Sequence, residues 1–357
     1  MLDDLAELVS VESPSHDLDA TAAALEVTAR LAHRLLGSRA EIVEDAGRQH
    51  LVWSGGGPVA VVLVGHVDTV WPLGTLARWP FSVEGDRATG PGVFDMKAGI
   101  VQGLHALSCL ADLSGVRVLL TTDEETGSLT SRGLIEATAR GAAAALVLEP
   151  SAGGALKSAR KGVSMYRIEV TGQAAHAGLE PEKGANAGVE LAHQMLALAP
   201  LGRPEVGTTV TPTLLAAGST TNTVPAQGWL AVDVRASTPA EQARIDGQMR
   251  ALAPVLAGTS VTILGGPNRP PMPAAASADL LVRARRCARG LGLADLRDVA
   301  VGGGSDGNFT AGVGVPTLDG LGAVGDGAHA EGEYIEIPAM AERAALVAAL
   351  VTDLLPA

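Results

Sequence analysis

The chain has 357 residues, of which 47% are hydrophobic and only 3% aromatic, and it carries a formal net charge of −13. That length allows one large domain or two ordinary ones. The acidic balance argues against a nucleic-acid backbone as a partner, and the scarcity of aromatic residues argues against stacking on single-stranded bases. We therefore expect no nucleic-acid partner.

The amino-terminal sequence MLDDLAELVS is acidic and amphipathic, whereas a signal peptide starts with basic residues and continues with an apolar run. No stretch of about 18 uncharged apolar residues predicts a membrane span. The two isolated cysteines, Cys109 and Cys287, do not make a disulfide framework. We expect a cytoplasmic protein without a membrane partner.

The first part of the chain alternates predicted helices with predicted strands. The run VAVVLVG at 59–65 is entirely apolar or glycine, which is typical of a strand buried on both faces. Such an alternation predicts an α/β domain in which helices flank a parallel or mixed sheet. The predicted elements are helices over 2–10, 17–36, 97–112 and 128–140 and strands over 40–54, 59–65, 116–122 and 143–150.

Three of these strands end in side chains that suit metal chemistry. His66 and Asp68 come at the end of the strand predicted over 59–65. Glu124 and Glu125 follow the strand over 116–122, and Glu149 lies at the end of the strand over 143–150. Residues two apart on a strand share a face, so His66 and Asp68 are expected to lie together. Open α/β sheets keep their sites at the carboxyl ends of the strands, which predicts one site along this edge.

The pattern changes after this region. Residues 163–171 alternate apolar and polar side chains, as a strand with one exposed face does. The order of elements predicts an α+β domain over 162–268, an antiparallel sheet with two helices, inserted into a catalytic domain of 1–161 and 269–357. The proline-rich stretch 267–273 is predicted to lead back. The remaining predicted elements are strands over 208–218, 227–236 and 259–264 and helices over 185–199, 239–257, 277–291 and 338–355.

Imidazole and carboxylate groups together suit zinc and similar ions, and one aspartate can bridge two such ions. Glu124, next to a ligand, would then remain to take a proton from a water molecule. Taken singly, His66 also fits a hydrogen-bonded core histidine, and the Glu124–Glu125 pair also fits a solvated loop. Their positions directly after apolar strands favour the metal site. The candidate ligands are His66, Asp95, Glu125, Glu149 and His329.

Eight segments resemble, in order, the motifs of the di-zinc metallopeptidase family of glutamate carboxypeptidase (carboxypeptidase G type), aminoacylase, acetylornithine deacetylase and succinyl-diaminopimelate desuccinylase. Together they extend over nearly the whole chain. The resemblance implies a zinc-peptidase-like catalytic domain and an inserted lid and dimerisation domain, hence a homodimer. The segments are Gly65–Val70, Gly90–Lys97, Thr122–Ser128, Leu148–Pro150, Gly172–Gly178, Asn222–Pro225, Asp233–Arg235 and Gly303–Gly307.

The resemblance also implies a ligand set for two Zn²⁺ ions, with Co²⁺ or Mn²⁺ as alternatives. His66, Asp95 and Glu149 would hold one ion. Asp95, Glu125 and His329 would hold the other, and a cis peptide would follow Asp95. The segment around His329 departs from the commoner pattern of histidine followed by serine or threonine, although its flanking glycines and acidic residue fit.

Three further residues receive catalytic roles from the resemblance. Asp68 would orient His66, since a partner on the second ring nitrogen fixes the tautomer of a metal-binding imidazole. Glu124 would be the general base towards a metal-bridging hydroxide and then the general acid towards the leaving nitrogen. His176 would stabilise the tetrahedral oxyanion; taken alone, it also fits a surface-loop histidine.

Substrate binding is implied for five residues. Asn222 and Arg235 match positions that bind a free α-carboxylate, for which the planar arginine fork is well suited. The plain alternative for Arg235 is an ion pair on the strand surface. Gly303, Gly304 and Ser305 would form a loop close to the substrate, where glycine permits close backbone approach.

We therefore expect a zinc-dependent metallopeptidase or amidohydrolase that releases an amino acid with a free α-carboxylate, most simply a C-terminal glutamate, from a small peptide or N-acyl amino acid. The alternative enzymes are an N-acyl-amino-acid deacylase of the acetylornithine or succinyl-diaminopimelate type and a dipeptidase. A non-catalytic binding protein on the same scaffold is the alternative from another class; it would lack the base or a ligand, and all are present here.

Overall fold

The computed structural model describes residues 1–356, and the chain divides into two compact units. The first unit consists of Met1–Arg160 and Met272–Ala357, and the second of Lys161–Pro271. At the junction, Arg160 and Met272 of the first unit pair as a short antiparallel bridge, with N···O distances of 2.9 and 3.0 Å. The two segments of the first unit therefore meet where the chain leaves for the second.

Ten α-helices form within residues 1–356. Two of the longer ones follow side-chain caps: the Asp17 side chain accepts from the N–H of Ala20, and the Thr238 side chain, directly before Pro239, accepts from the N–H of Glu241. The helices are α1 Leu2–Val9, α2 Leu18–Leu36, α3 Thr75–Arg78, α4 Ala98–Ser108, α5 Arg132–Ala139, α6 Ala187–Leu198, α7 Pro239–Arg250, α8 Ala274–Gly290, α9 Gly307–Gly312 and α10 Ile337–Leu354.

The same residues contain sixteen strands, many of them very short. They are β1 Glu41–Asp45, β2 Arg48–Ser54, β3 Val61–His66, β4 Ser82–Glu84, β5 Arg87–Thr89, β6 Val116–Thr121, β7 Ala144–Val147, β8 Leu156–Arg160, β9 Gly162–Thr171, β10 Thr209–Ala217, β11 Gln227–Ala236, β12 Ser260–Arg269, β13 Asp298–Val301, β14 Thr317–Leu318, β15 Gly325–Asp326 and β16 Tyr334–Glu336.

The central sheet of the first unit is mixed, as the sequence predicts. Its strand order is β1-β2-β6-β3-β7-β14. Strand β3 pairs in parallel with β6 on one side and with β7 on the other, whereas β2 pairs with β6 antiparallel. The carboxyl ends of β6, β3 and β7 are therefore neighbours at one edge.

Strand β3 has every residue buried because both faces of the sheet are covered. Val61 and Leu63 belong to the large core with α2, α4, α8 and α10, while Val62 and Val64 belong to a second core with α5 and α9. Alternate side chains of one strand thus enter two different cores. This double anchoring fixes the position of His66 at the end of the strand.

The second unit is an antiparallel sheet of order β10-β11-β9-β12 with α6 and α7 on one face. Tyr166, Ile168 and Val170 of β9 are buried against these helices, while Met165 and Arg167 between them are exposed. This period of two is the one the sequence shows. The predicted combination of a mixed α/β sheet with an antiparallel sheet and two helices is confirmed.

Some predicted elements differ in their extent. The single strand predicted over 40–54 is a hairpin, because Ala46 and Gly47 adopt positive φ angles of 49° and 79° and turn the chain. Strand β12 extends through Pro267, which the sequence predicts to lie in the connection. It is an edge strand with a register shift after this proline, the setting in which a strand tolerates proline.

Across residues 1–356, no helix is long and apolar enough to cross a membrane.

Candidate metal centre

The carboxyl ends of the three central strands bring the predicted ligands together. His66 is the last residue of β3, Glu124 and Glu125 lie in a short 3₁₀ turn after β6, and Glu149 follows β7 by two residues. Asp95 lies at a kink before α4, and its peptide bond to Met96 is cis, as the resemblance implies. The parallel pairing of β6, β3 and β7 therefore brings His66, the two glutamates after β6, and Glu149 to the same edge of the sheet.

Asp95 lies between the two histidines. Its Oδ1 is 3.4 Å from His66 Nε2, and its Oδ2 is 3.4 Å from His329 Nε2. His66 Nε2 is also 3.6 Å from Glu149 Oε1, and His329 Nε2 is 3.1 Å from Glu125 Oε1. One aspartate thus faces two histidine–glutamate pairs through different oxygens, which is the arrangement expected for a bridging ligand.

The donor atoms fit divalent cations. His66 Nε2 and Asp95 Oδ1 are buried and have no hydrogen-bond partner. Buried polar atoms are rarely left in this state, so both atoms require another partner. Two ligands placed about 2.0–2.1 Å from a tetrahedral ion lie about 3.4 Å apart, which matches the separations at both histidines.

The acidic groups of the site favour positive charge in their midst. Hydrogen bonds from His329 to Asp95 and Glu125 raise the pKa of this imidazole to about 10. Burial opposes ionisation of Asp95, but the imidazoles of His329 and His66, each 3.4 Å from one of its oxygens, outweigh it and hold its pKa well below the usual range. Burial raises the pKa of Glu125. A dication would meet the same attraction and displace the imidazole protons.

Glu124 and Glu125 are adjacent but take different places. Ligand atoms of His66, Glu124 and Glu149 lie within 4.8 Å of one another, and so do those of His66, Asp95 and Glu125. Two carboxylates about 5 Å apart repel by about 3 kcal/mol at an effective dielectric constant of 20. Glu124 thus lies beside the His66–Glu149 pair. A cation between Glu124 and Glu149 would relieve the repulsion between their carboxylates.

Comparison with known proteins identifies the family. The sequence model of Peptidase family M20/M25/M40 matches residues 62–353. The chain belongs to this family. It is 34% identical over 318 residues to carboxypeptidase G2 from Pseudomonas sp. (strain RS-16), covering 84% of this chain and 75% of that protein.

Two further similarities extend this finding. The chain is 32% identical over 171 residues to acetylornithine deacetylase from Pasteurella multocida (strain Pm70), covering 44% of each protein. The solved structure of the M20 family metallo-carboxypeptidase Sso-CP2 from Sulfolobus solfataricus has a TM-score of 0.78 at 16% identity, covers 98% of both chains and shows the same fold. The predicted family and the predicted class of enzyme are confirmed: the chain is a metallopeptidase or amidohydrolase.

In this M20 family member, Asp68 supports both His66 and the glutamate turn. His66 Nδ1 is 3.0 Å from the backbone oxygen of Asp68 and 3.5 Å from its carboxylate. The same carboxylate accepts from the N–H groups of Glu124 and Glu125, at 3.3 and 3.2 Å, and from the Ser15 hydroxyl at 2.7 Å. Asp68 therefore positions the Glu124–Glu125 turn as well as the imidazole, a contact set broader than the one the sequence predicts.

Several supporting residues of the M20 centre were not predicted. Asp123 accepts from the hydroxyl groups of Thr130 and Ser131, at 2.8 and 2.6 Å, and so anchors the turn that holds Glu124. Asp306 accepts from Thr121 at 2.9 Å and ties the start of α9 to the end of β6. The only sequence signal for Asp123 is its position between a buried strand and the two glutamates.

Glu333 is a further unpredicted residue and is almost fully buried. Its carboxylate accepts from the N–H of Phe94 and from the indole nitrogen of Trp71, both at 3.1 Å. Burial raises its pKa to about 7, although these hydrogen bonds act in the opposite direction. Glu333 thereby joins the segment after His329 to the segment that carries Asp95.

The predicted substrate loop of the first unit is also located. The carbonyl oxygens of Gly303 and Gly304 accept from the Arg160 guanidinium at 3.1 and 3.2 Å. Ser305 is buried, and its hydroxyl donates to Asp319 at 2.6 Å. The backbone at this loop is thus fixed by side chains of the first unit.

The other predicted substrate residues belong to the second unit. His176 and Asn222 are exposed on two segments that pair with each other, the N–H of Ala177 donating to the carbonyl of Asn222 at 2.9 Å. Arg235 is half-buried on β11 and forms a two-pronged ion pair with Asp233, with both N···O distances 2.8 Å. The strand-surface ion pair considered for Arg235 is therefore present.

Proposed function

We propose that the chain is a di-zinc amidohydrolase that releases an amino acid with a free α-carboxylate, with C-terminal glutamate as the preferred residue. The observation that carries this proposal is Asp95 facing His66 with Glu149 on one side and His329 with Glu125 on the other. The similarity to carboxypeptidase G2 supports a carboxypeptidase, and the glutamate preference rests on the motifs that resemble glutamate carboxypeptidase.

His66, Asp95 and Glu149 would hold one Zn²⁺, and Asp95, Glu125 and His329 the other, with Co²⁺ or Mn²⁺ as alternatives. When bound, such cations supply Lewis acidity and lower the pKa of a water molecule towards 7. The protein side chains then have to position the substrate and move one proton.

Glu124 is proposed to move that proton. It takes the proton from the attacking water and donates it to the leaving nitrogen, which requires a carboxylate next to the ligands. Its position within 4.8 Å of ligand atoms of His66 and Glu149 supports this role. The Asp68 carboxylate accepts a hydrogen bond from the backbone N–H of Glu124 and so keeps Glu124 in place.

His176 is proposed to stabilise the oxyanion that develops on the substrate carbonyl. Its Nδ1 accepts from the N–H groups of Gly178 and Leu179, both at 3.1 Å. A nitrogen that accepts carries no proton, so the proton resides on Nε2. This neutral tautomer presents a hydrogen-bond donor, which is what an oxyanion needs.

Arg235 and Asn222 are proposed to bind the free α-carboxylate, and Gly303, Gly304 and Ser305 to line the substrate loop. Arginine suits a carboxylate through its planar fork, which Asp233 demonstrates in the structure. A substrate carboxylate would have to share or replace that partner.

The second candidate function is deacylation of an N-acyl amino acid, which the similarity to acetylornithine deacetylase favours. It would use the same ligands and the same base, as would a dipeptidase. We further propose that the inserted unit acts as a lid and mediates homodimer formation, and the cytoplasmic location expected from the sequence stays a prediction.

The test is hydrolysis of a panel of N-acyl-glutamates, N-acetylornithine and other N-acyl amino acids, with and without a chelator. We expect glutamate release that stops on chelation and returns when Zn²⁺ is added. The α-amide of the same N-acyl-glutamate is the matched control and should react far more slowly. Preference for another side chain would favour the deacylase, and no turnover with two metals bound would contradict an amidohydrolase acting on this class.

A further inference from the structure

Arg160 is a buried cation beside the metal centre. It ends β8, and only 4% of its surface is exposed. An arginine side chain keeps its proton in proteins, so burying it requires acceptors around the guanidinium. The arrangement of those acceptors shows what the residue holds in place.

The guanidinium makes five hydrogen bonds, as many as it has N–H donors. Nε and Nη2 donate to the two carboxylate oxygens of Asp319, at 2.7 and 2.9 Å. Nη2 also donates to Glu149 Oε2 at 3.2 Å. Nη1 donates to the carbonyl oxygens of Gly303 and Gly304. A lysine has three donors on one nitrogen and cannot satisfy this set.

The far end of this cluster is also fixed. Asp319 is fully buried, and its carboxylate accepts from the Ser305 hydroxyl at 2.6 Å and from the N–H of Gly320 at 2.5 Å. A buried carboxylate with this many partners has little freedom to reorient. Asp319 therefore holds the guanidinium in one orientation.

The two oxygens of Glu149 have different surroundings. Oε1 lies 3.6 Å from His66 Nε2. Oε2 lies 3.2 Å from Arg160 Nη2 and 3.8 Å from Lys157 Nζ. Oε1 thus faces the candidate metal ligand His66, whereas Oε2 faces the positively charged side chains of Arg160 and Lys157.

We propose that Arg160 is a positioning residue that limits Glu149 to one metal-binding oxygen and, through the same guanidinium, fixes the Gly303–Gly304 carbonyls of the substrate loop. This inference rests on the proposed function, because it takes Glu149 as a ligand and the loop as a substrate contact. Metal affinity at one site and the KM for substrate then both depend on a single side chain.

Arg160→Lys tests this inference because it keeps the charge and removes the fork. We expect the dissociation constant of the Glu149 metal site to rise about 10–100-fold, a typical effect of removing a partner of a ligand. The other metal site should change less than about threefold, and KM should rise more than kcat falls. Chelator competition with Zn²⁺ measures the dissociation constants of both metal sites. The His329→Ala protein lacks a proposed ligand of the other site, so the constant that it retains belongs to the Glu149 site.

A spectroscopic readout addresses the single oxygen directly. Co²⁺ absorbs visible light more weakly as its coordination number rises. In Arg160→Lys, Glu149 gains freedom to bind through both oxygens, so we expect weaker absorption of the Co²⁺ protein. A purely structural role for Arg160 would leave the spectrum of the bound metal unchanged.

Arg343→Lys is the matched control. Arg343 is also buried in the first unit, at 5% exposure, and donates to the carbonyl of Gly154 at 2.9 Å. Its replacement should leave both metal constants unchanged. Equal weakening of both metal sites in Arg160→Lys, or the same loss in Arg343→Lys, would overturn the proposal, and so would unchanged metal affinity in folded Arg160→Lys.

Asp319→Asn serves if Arg160→Lys does not fold. It keeps the shape of the side chain and weakens its hold on the guanidinium, so a smaller loss at the same metal site is expected, and no loss there would overturn the inference. Metal binding is measured without substrate, so this outcome is independent of the hydrolysis panel. An inactive protein with the predicted metal changes would reject the proposed substrate and keep the role of Arg160.

Discussion

The two units prepare their functional side chains in opposite ways. In the first unit, His66 and Asp68 are buried, carboxylates crowd together, and two ligand atoms have no hydrogen-bond partner. In the second, His176 and Asn222 are exposed, and Arg235 already has a carboxylate partner. Under the proposed function, a cation would supply the missing partner in the first unit, whereas a substrate carboxylate would have to compete with Asp233 in the second.

This difference has a structural origin. Three candidate metal ligands, His66, Glu125 and Glu149, follow buried strands whose ladder and two-sided packing determine where the side chains emerge. His176 and Asn222 lie on paired segments at the surface of the second unit, and Arg235 lies on a strand with its partner two residues away. Under the proposed function, substitution of Glu124 should therefore affect turnover, whereas substitution of Arg235 should affect affinity.

Glu124→Gln should give the largest effect and would sharpen this comparison. The amide cannot accept the proton, so we expect kcat to fall about 10²–10⁴-fold, the usual contribution of a general base. Both metals should remain, because the five ligands are unchanged. Measurement of kcat at saturating substrate together with metal content checks both parts.

The substitution Glu136→Gln is the control for this experiment. Glu136 forms ion pairs with Arg132 of α5 and with Arg140 directly after α5, away from the candidate ligands in sequence. Loss of a metal along with turnover in Glu124→Gln would show that Glu124 is a ligand. In that case the separation of roles between Glu124 and Glu125 would be wrong.

Arg235→Ala should have an intermediate effect on affinity. A hydrogen bond to a charged group contributes about 1.5–3 kcal/mol, and competition from Asp233 reduces the gain, so we expect KM to rise about 10-fold for substrates with a free α-carboxylate. The α-amide substrates should change little. Comparison of KM for each acid–amide pair makes the measurement.

Arg167→Ala provides the matched control. Arg167 lies on the neighbouring strand β9 and forms a similar pair with Glu169 at 2.8 Å. Its removal should leave KM unchanged for both classes of substrate. If Arg235→Ala weakened acid and amide substrates equally, Arg235 would not be the carboxylate-binding residue.

His50→Gln should give the smallest effect, on stability rather than turnover. His50 is fully buried on β2, and burial lowers its pKa below the ordinary value of 6.5, although Asp123 opposes the shift. The unfolded chain therefore binds a proton more readily below about pH 6.5, and the free energy of unfolding falls as pH falls. Replacing His50 should reduce this loss.

Urea unfolding at about pH 7 and pH 5 measures that loss in each protein. The exposed His193 of α6 supplies a control variant, which should leave the pH dependence unchanged. An unaltered pH dependence in His50→Gln would show that His50 is not its source.

The sequence could predict that the candidate ligands after long apolar strands would meet at one edge of the sheet. His66, Glu125 and Glu149 are marked in this way, because buried runs of six or seven residues have a clear pattern. Asp95 and His329 do not follow such strands, and the resemblance alone implied which ion each would hold. An ion pair of Arg235 on the strand surface could also be predicted from the sequence, since Asp233 lies two residues away on the same strand and therefore on the same face.

The supporting shell could not be predicted for a physical reason. Arg160 and Asp319 are 159 positions apart, and Phe94 and Glu333 are 239 apart, so nothing local connects them. Strands of two to four residues, such as β14 and β15, are too short to show a period. These contacts depend on how the sheet and its loops pack.

The bridge between Arg160 and Met272 has a consequence for how the protein can change. From the viewpoint of the first unit, the insertion of about 110 residues is a single loop whose ends already meet. Loop-closure entropy grows only with the logarithm of length, so this loop costs about 3 kcal/mol more than a four-residue turn. Changes in the length of the second unit should therefore add little to this entropy cost, because its two ends stay joined by the same bridge.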